Sequence, residues 1–128
     1  MLKAGTSKEQ ECLGSYYMDI KEYKQRAKLI RDNEIYKVYD LTELKNLNVS
    51  LTELYPQKST AGHSHKNVDE VYVFVDGEGT MEIGEKTLKV KAGDLALVPA
   101  GDFHKAHNQG EKILSFLTIF EKYKGRGK

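Results

Sequence analysis

Gly62-His63-Ser64-His65-Lys66-Asn67-Val68-Asp69-Glu70-Val71-Tyr72-Val73-Phe74-Val75-Asp76-Gly77-Glu78-Gly79 holds the pattern that decides the fold. Val71 to Val75 are all β-branched or aromatic, which suits a strand, and Gly77-Glu78-Gly79 ends them in a turn. The same grammar repeats toward the C-terminus. Thr80 to Ile83, Thr87 to Val90, Leu95 to Val98, His104 to Asn108 and Ile113 to Glu121 read as strands. Gly84-Glu85, Ala92-Gly93-Asp94, Ala100-Gly101-Asp102 and Gln109-Gly110 separate them. Toward the N-terminus, Ile35 to Asp40 and Val49 to Tyr55 read likewise, and the Thr42 to Asn48 connection can hold a helical turn. Turn signals about every eight to twelve residues, with no helix between them, predict an all-β antiparallel sandwich or barrel. Rossmann and TIM architectures are excluded by the missing helices.

Upstream the period changes. Tyr16, Ile20, Tyr23, Ala27 and Ile30 recur at helical spacing, while Lys21, Glu22, Lys24, Arg26 and Lys28 fill the other faces. This predicts one amphipathic helix packed on the barrel, closed by a turn at Asp32-Asn33. Met1 to about Cys12 is polar and aperiodic and reads as a loose arm. The expected organisation is an arm and helix over 1–33, a barrel over 34–121 and a flexible basic tail over 122–128.

The 128 residues suit a single core, and at this size folding hides roughly two-thirds of the chain's surface without metal or disulfide staples. Twenty basic against nineteen acidic residues leave +1, which offers no broad field for nucleic acid or an anionic membrane. No apolar run approaches a membrane span or a signal peptide, and the lone Cys12 has no partner for an internal disulfide, so a cytoplasmic location is expected. Seventeen Lys and twelve Glu, with few amides, match the composition of many thermophile proteins.

The chemistry concentrates in the histidines. His63 and His65 are two apart, so an extended segment projects both imidazoles from one face. Glu70 opens the next strand, and His104 starts a later one after Pro99-Ala100-Gly101. Three imidazoles and a carboxylate suit one divalent transition metal (Mn, Fe, Co, Ni or Zn), with positions left open for water or substrate. The plainer alternative is a set of ordinary polar residues at a barrel mouth. His107 has the opposite strand parity to His104 and is expected to face away. If Glu70 points inward, Tyr72 and Phe74 follow it, as Ala106 and Asn108 follow His104. The Tyr72 hydroxyl is then a candidate catalytic group that orients substrate or exchanges a proton, although packed core is an equal reading.

Gly62-His63-x-His65-x4-Glu70-x6-Gly77 resembles the first cupin motif, whose leading Gly normally stands a few residues earlier. Gly93-x5-Pro99-x-Gly101-x2-His104-x3-Asn108 resembles the second at every marked position, with 15 residues between the motifs. The resemblance implies a jelly-roll cupin barrel in which His63, His65, Glu70 and His104 ligate a metal. A chelated ligand with neighbouring oxygens, such as a hydroxy-carbonyl, suits such a site. Sugar-phosphate isomerisation, with Lys58, Lys66 or Lys105 as the phosphate's cation, iron dioxygenase chemistry and a non-enzymatic sensor module remain open. The Leu114 to Phe120 run is similar to the last strand of cupin-type phosphoglucose isomerases. Oxalate decarboxylation is less favoured, because resemblance to that branch implies an arginine on the small dianion and Arg26, Arg31 and Arg126 all lie outside the motifs. A small-molecule ligand and a homodimer are the expected partners.

Overall fold

A computed structural model describes residues 16–124 and Arg126; the arm read over Met1 to Cys12 lies outside the described residues. After the helix α1 (Ile20–Arg26) come nine strands. They are β1 (Lys28–Asp32), β2 (Tyr36–Leu41), β3 (Leu47–Leu54), β4 (Glu70–Asp76), β5 (Glu78–Ile83), β6 (Lys86–Lys91), β7 (Leu95–Val98), β8 (His104–His107) and β9 (Leu114–Glu121). Every strand pairing is antiparallel, in a six-stranded sheet ordered β1-β2-β3-β9-β4-β7 and a three-stranded sheet ordered β6-β5-β8. No continuous ladder joins the two sheets among the described residues, so the expected barrel is an open jelly-roll sandwich.

Strict alternation in β9, with Leu114, Phe116, Thr118 and Phe120 buried, places that strand between β3 and β4 with one face in the core. Leu54, Phe74, Leu114 and Phe116 from the large sheet meet Met81, Val90 and Ala106 from the small one in a single cluster. Removing a fully buried side chain such as Phe74 costs about 3–5 kcal/mol. At Gly77 (φ 83°) the chain turns from β4 into β5, and a Cβ there would meet the Ile113 carbonyl oxygen at 2.5 Å.

The helix is shorter than its spacing predicts. Asp19 caps it by accepting from the Glu22 N–H, but it ends at Arg26, and Ile30 belongs to β1, whose Lys28 pairs with Asp40. Only Tyr23 of the apolar stripe is buried, its hydroxyl 2.8 Å from the carbonyl oxygens of Tyr39 and Val49, whereas Tyr16 and Ile20 are exposed. With so little to bury along the stripe, ladder pairing to β2 outcompetes another helical turn. The sheet therefore begins six residues before the Glu34 boundary. The Thr42 to Asn48 connection contains no helical turn.

The basic tail is only partly the free end its composition suggests. Arg126 donates from Nε and Nη2 to the two carboxylate oxygens of buried Asp40 at 3.0 and 2.9 Å, and from Nη2 to Ser50 Oγ at 3.0 Å. Its guanidinium lies 4.9 Å from the Phe120 ring centre. Burial alone would raise the Asp40 pKa, but the Arg126 contact outweighs it and holds the carboxyl below its ordinary range.

Candidate metal centre

The left-handed turn at Gly62 (φ 52°) delivers His63 to the edge of β8. There His63 and His104 exchange backbone hydrogen bonds, N–H to O, at 3.1 and 2.9 Å. The exchange brings the two imidazoles to 4.5 Å between centres. Downstream, the Gly101 N–H donates to the His65 carbonyl and the Ala100 N–H to Asp69 Oδ1, both at 2.8 Å, so the two motif loops are clasped together. Glu70 enters from the first position of β4, held between Val98 of β7 and Phe120 of β9.

The structure thus brings together His63, His65, Glu70 and His104, with one donor atom from each lying within 4.8 Å of the others. His104 Nδ1 faces the Asp102 carbonyl oxygen at 3.1 Å. A carbonyl only accepts, so that contact places the proton on Nδ1 and leaves a lone pair on Nε2 in the neutral ring. Nε2 lies 2.8 Å from Glu70 Oε2, yet neither buried atom has a partner in hydrogen-bond geometry. Two acceptors aimed past each other at that distance leave a position that a cation fits. His65 Nε2 is 3.9 Å from the same carboxylate oxygen. The donor set of imidazoles and one carboxylate suits a first-row divalent ion.

Burial, followed by the neighbouring His104 and His65, pushes His63 down to about 4. Burial also lowers His65. It acts in the same sense on His104, but Glu70 and the Asp102 carbonyl outweigh it and raise that group. In the absence of a cation, the His63 shift makes stability fall as pH drops from 6.5 toward about 4, because the unfolded chain takes up the proton first. His63→Gln removes that component. Thermal melts of chelator-treated protein across this window are expected to show a smaller loss for the variant than for the parent; an identical loss would exclude His63 as its source.

The cluster opens on a cavity of about 350 Å³. Tyr72 lines it, its ring 5.9 Å from His104, and it faces Thr118 across the β4–β9 ladder. Burial, with Glu70 next in size, raises the Tyr72 pKa, so at neutral pH the hydroxyl is protonated. Phe74, Ala106 and Asn108 are buried as parity predicts, while His107 contacts Ser59 and Glu82 rather than the cluster.

The cations on the cavity differ from those expected. Arg31, Lys124 and Arg126 line it, whereas Lys58, Lys66 and Lys105 do not. Tyr123 closes it from the tail, with its ring 5.2 Å from His65 and 5.7 Å from Phe120. Arginines outside the motifs thus still reach the cavity, which removes the ground for disfavouring oxalate decarboxylation. Arg31 was hidden because its stretch reads as helix, and Arg126 because the two glycines and three lysines around it read as a solvated end. The available signal was buried Asp40, an inward-facing acid in β2 that requires a partner.

A 67-residue stretch is 33% identical to the oxalate-binding protein of Thermotoga maritima, covering 52% of this chain and 55% of that one. An uncharacterized protein of Methanocaldococcus jannaschii is 33% identical over 75 residues, covering 57% of this chain and 60% of the relative. The chain thus spans little more than half the length of these relatives. Among solved structures, a predicted oxalate decarboxylase from Thermotoga maritima superposes with a TM-score of 0.60 at 26% identity, covering 68% of this chain and 82% of that one. A Thermus thermophilus protein gives 0.70 at 22% identity over 82% and 95% of the two chains, a likeness of fold. The family described as the cupin domain matches residues 50–120, the span that runs from β3 through both histidine motifs to the end of β9, and the chain belongs to that family.

Proposed function

We propose that His63, His65, Glu70 and His104 hold one divalent transition metal, and that the metal and the cavity bind a small, oxygen-rich anionic metabolite. The observation that carries this reading is the pair of unsatisfied buried acceptors, His104 Nε2 and Glu70 Oε2, beside a cavity whose lining includes Glu70, Arg31 and Lys124. When bound, the metal supplies a Lewis acid that polarises a chelated oxygen. Arg31 and Lys124 attract the ligand's negative charge, and the protonated Tyr72 hydroxyl orients it by hydrogen bonding. Oxalate is the first ligand to try, because a relative carries that binding activity in its name.

Elemental analysis of purified protein is expected to find close to one transition metal per chain. His65→Ala and His104→Ala should each lose most of it, and full metal content in both variants would overturn the assignment. Iron dioxygenase chemistry at the same four residues is the second reading, favoured by a 30% identity over 93 residues to the acireductone dioxygenase of Leishmania major, of which the match covers 27%. Oxygen uptake by iron-loaded protein with an enediol separates it from ligand binding alone.

The protein also carries a face suited to a second copy of itself. Val71 pairs with Leu97 and Ile119, and Val73 with Leu95 and Leu117, which sets two aliphatic rows on the outer side of β7, β4 and β9. Leu95 and Leu97 are 63% and 68% exposed on an edge strand. In an isologous contact the residues at the axis face their own copies, where like charges would repel, and these six residues carry none. Leu95→Asp with Leu97→Asp is expected to turn a dimer into a monomer in light scattering. A parent protein that is already monomeric at high concentration would remove the homodimer.

A further inference from the structure

The outer face of the three-stranded sheet holds a hydrogen-bonded chain that the four-residue cluster does not use. Ser59 Oγ lies 2.7 Å from His107 Nδ1, and His107 Nε2 is hydrogen-bonded to Glu82 Oε2. Three separate parts of the fold supply these groups: the segment after β3, strand β8 and strand β5. Ser59 and His107 form an antiparallel bridge, flanked by the Thr60 N–H bonded to Ala106 O and the Asn108 N–H bonded to Lys58 O, each at 2.9 Å. That makes Ser59 and His107 a non-hydrogen-bonded pair, the register in which facing side chains come closest. In the same register the Ser59 N–H points away from β8, toward the open side of its segment. On β5, Thr80 pairs with His107, and Glu82 two residues on shares its face.

The protonation pattern follows from the partners. An ionised carboxylate only accepts, so Glu82 assigns the ring proton to His107 Nε2 and leaves a lone pair on Nδ1. The Ser59 hydroxyl donates to that lone pair. A hydroxyl, a base and a carboxylate that fixes the base's tautomer stand in the order that activates a serine, and this order is recognised by geometry rather than by fold. The site is also reachable: Ser59 is half-buried, and the His107 and Glu82 side chains are 24% and 37% exposed. None of the three lines the metal-centre cavity.

We propose that Ser59 is an activated nucleophile that accepts the acyl group of small, unhindered activated esters or thioesters, with His107 as general base and Glu82 as the residue that positions it. Ser59 Oγ bonds to the carbonyl carbon as its proton passes to His107 Nδ1, and the carbonyl π pair moves onto oxygen, within reach of the outward Ser59 N–H. The pair returns, the bond to the alkoxide or thiolate breaks, and that leaving group takes the proton from His107. Water repeats the sequence, releasing a carboxylic acid and restoring Ser59.

The full-length protein, with chelator present so that metal chemistry is silent, is treated with p-nitrophenyl acetate and separately with a fluorophosphonate. Mass spectrometry is expected to find a single adduct on the Ser59 peptide, and Ser59→Ala should lose it while retaining the parent's melting temperature. His107→Gln should slow labelling at least about a hundredfold. Glu82→Gln should slow the acylation step at least about tenfold while leaving the half-saturating ester concentration unchanged, a split that a purely structural role for Glu82 would not give. Labelling of Ser59→Ala at the parent's rate overturns the proposal, as does undiminished labelling of His107→Gln, and the second arm stands if the first variant misfolds.

Discussion

Chelator-treated protein is expected to melt far below the metal-loaded protein, with His104→Ala abolishing most of the difference. A cation that binds the folded cluster and not the unfolded chain adds stability set by its excess over the dissociation constant, about 4 kcal/mol at a thousandfold excess. At this chain length that corresponds to a rise in melting temperature of roughly 10 °C or more. The cluster is built to convert binding into stability. His104 and Glu70 are 2% and 6% exposed, and each places an unpartnered acceptor where only a cation or a proton relieves it. Their elements are also far apart in the chain: β4 brings Glu70, β8 brings His104, and the clasped loop between β3 and β4 brings His63 and His65. Binding therefore links both sheets. Loss of one ligand should weaken affinity at least about a hundredfold, cutting the stabilisation by about 3 kcal/mol. Calorimetry of parent and His104→Ala with and without chelator measures both quantities, and a parent that melts at the same temperature in either condition would contradict a metal centre.

The four clustered residues were legible in the sequence because each lies where local rules fix its direction. His63 and His65 share a face through the two-residue period, and Glu70 and His104 each open a strand after a turn. The core was legible for the same reason: β4 and β9 alternate without interruption, so Tyr72, Phe74, Leu114 and Phe116 point inward in register. The failures fall where tertiary pairing decides. Lys28 to Ile30 fits both a helix and a strand, and only the presence of β2 as a neighbour selects the strand. Arg126 sits in a stretch with no period at all. Its place is set by Asp40 and Ser50, 86 and 76 residues earlier, and no local pattern encodes a contact of that separation. The cavity's cations were missed for that reason, and with them the positive charge that its wall offers an anionic ligand. Closure into a barrel also depends on whether the sheets' free edges meet, which strand periodicity does not specify.

Asn108→Ala is expected to cost about 2–4 kcal/mol, an effect large enough to lower the melting temperature by roughly 10 °C. Asn108 is 2% exposed and spends all three of its side chain's hydrogen bonds on backbone. Nδ2 donates to Leu54 O at 2.9 Å and Lys112 O at 2.8 Å, and Oδ1 accepts from the Gly110 N–H at 3.0 Å. The amide thus ties the end of β3 to the turn that joins β8 to β9. Alanine removes all three bonds at once and leaves the buried contact to the Leu54 carbonyl without its donor. Asn108→Asp should be worse than alanine, although it is nearly isosteric, because a carboxylate has no hydrogens for the two carbonyls and sets a negative charge against both. Gln109→Ala, one residue on and exposed, should stay within about 0.5 kcal/mol. The ordering Gln109→Ala, Asn108→Ala, Asn108→Asp in urea midpoints tests this account. If Asn108→Asp, which keeps the volume, proved as stable as the parent while Asn108→Ala did not, the cost would come from the lost volume, and the hydrogen-bonded clamp would not be what holds β8, and with it His104, in place.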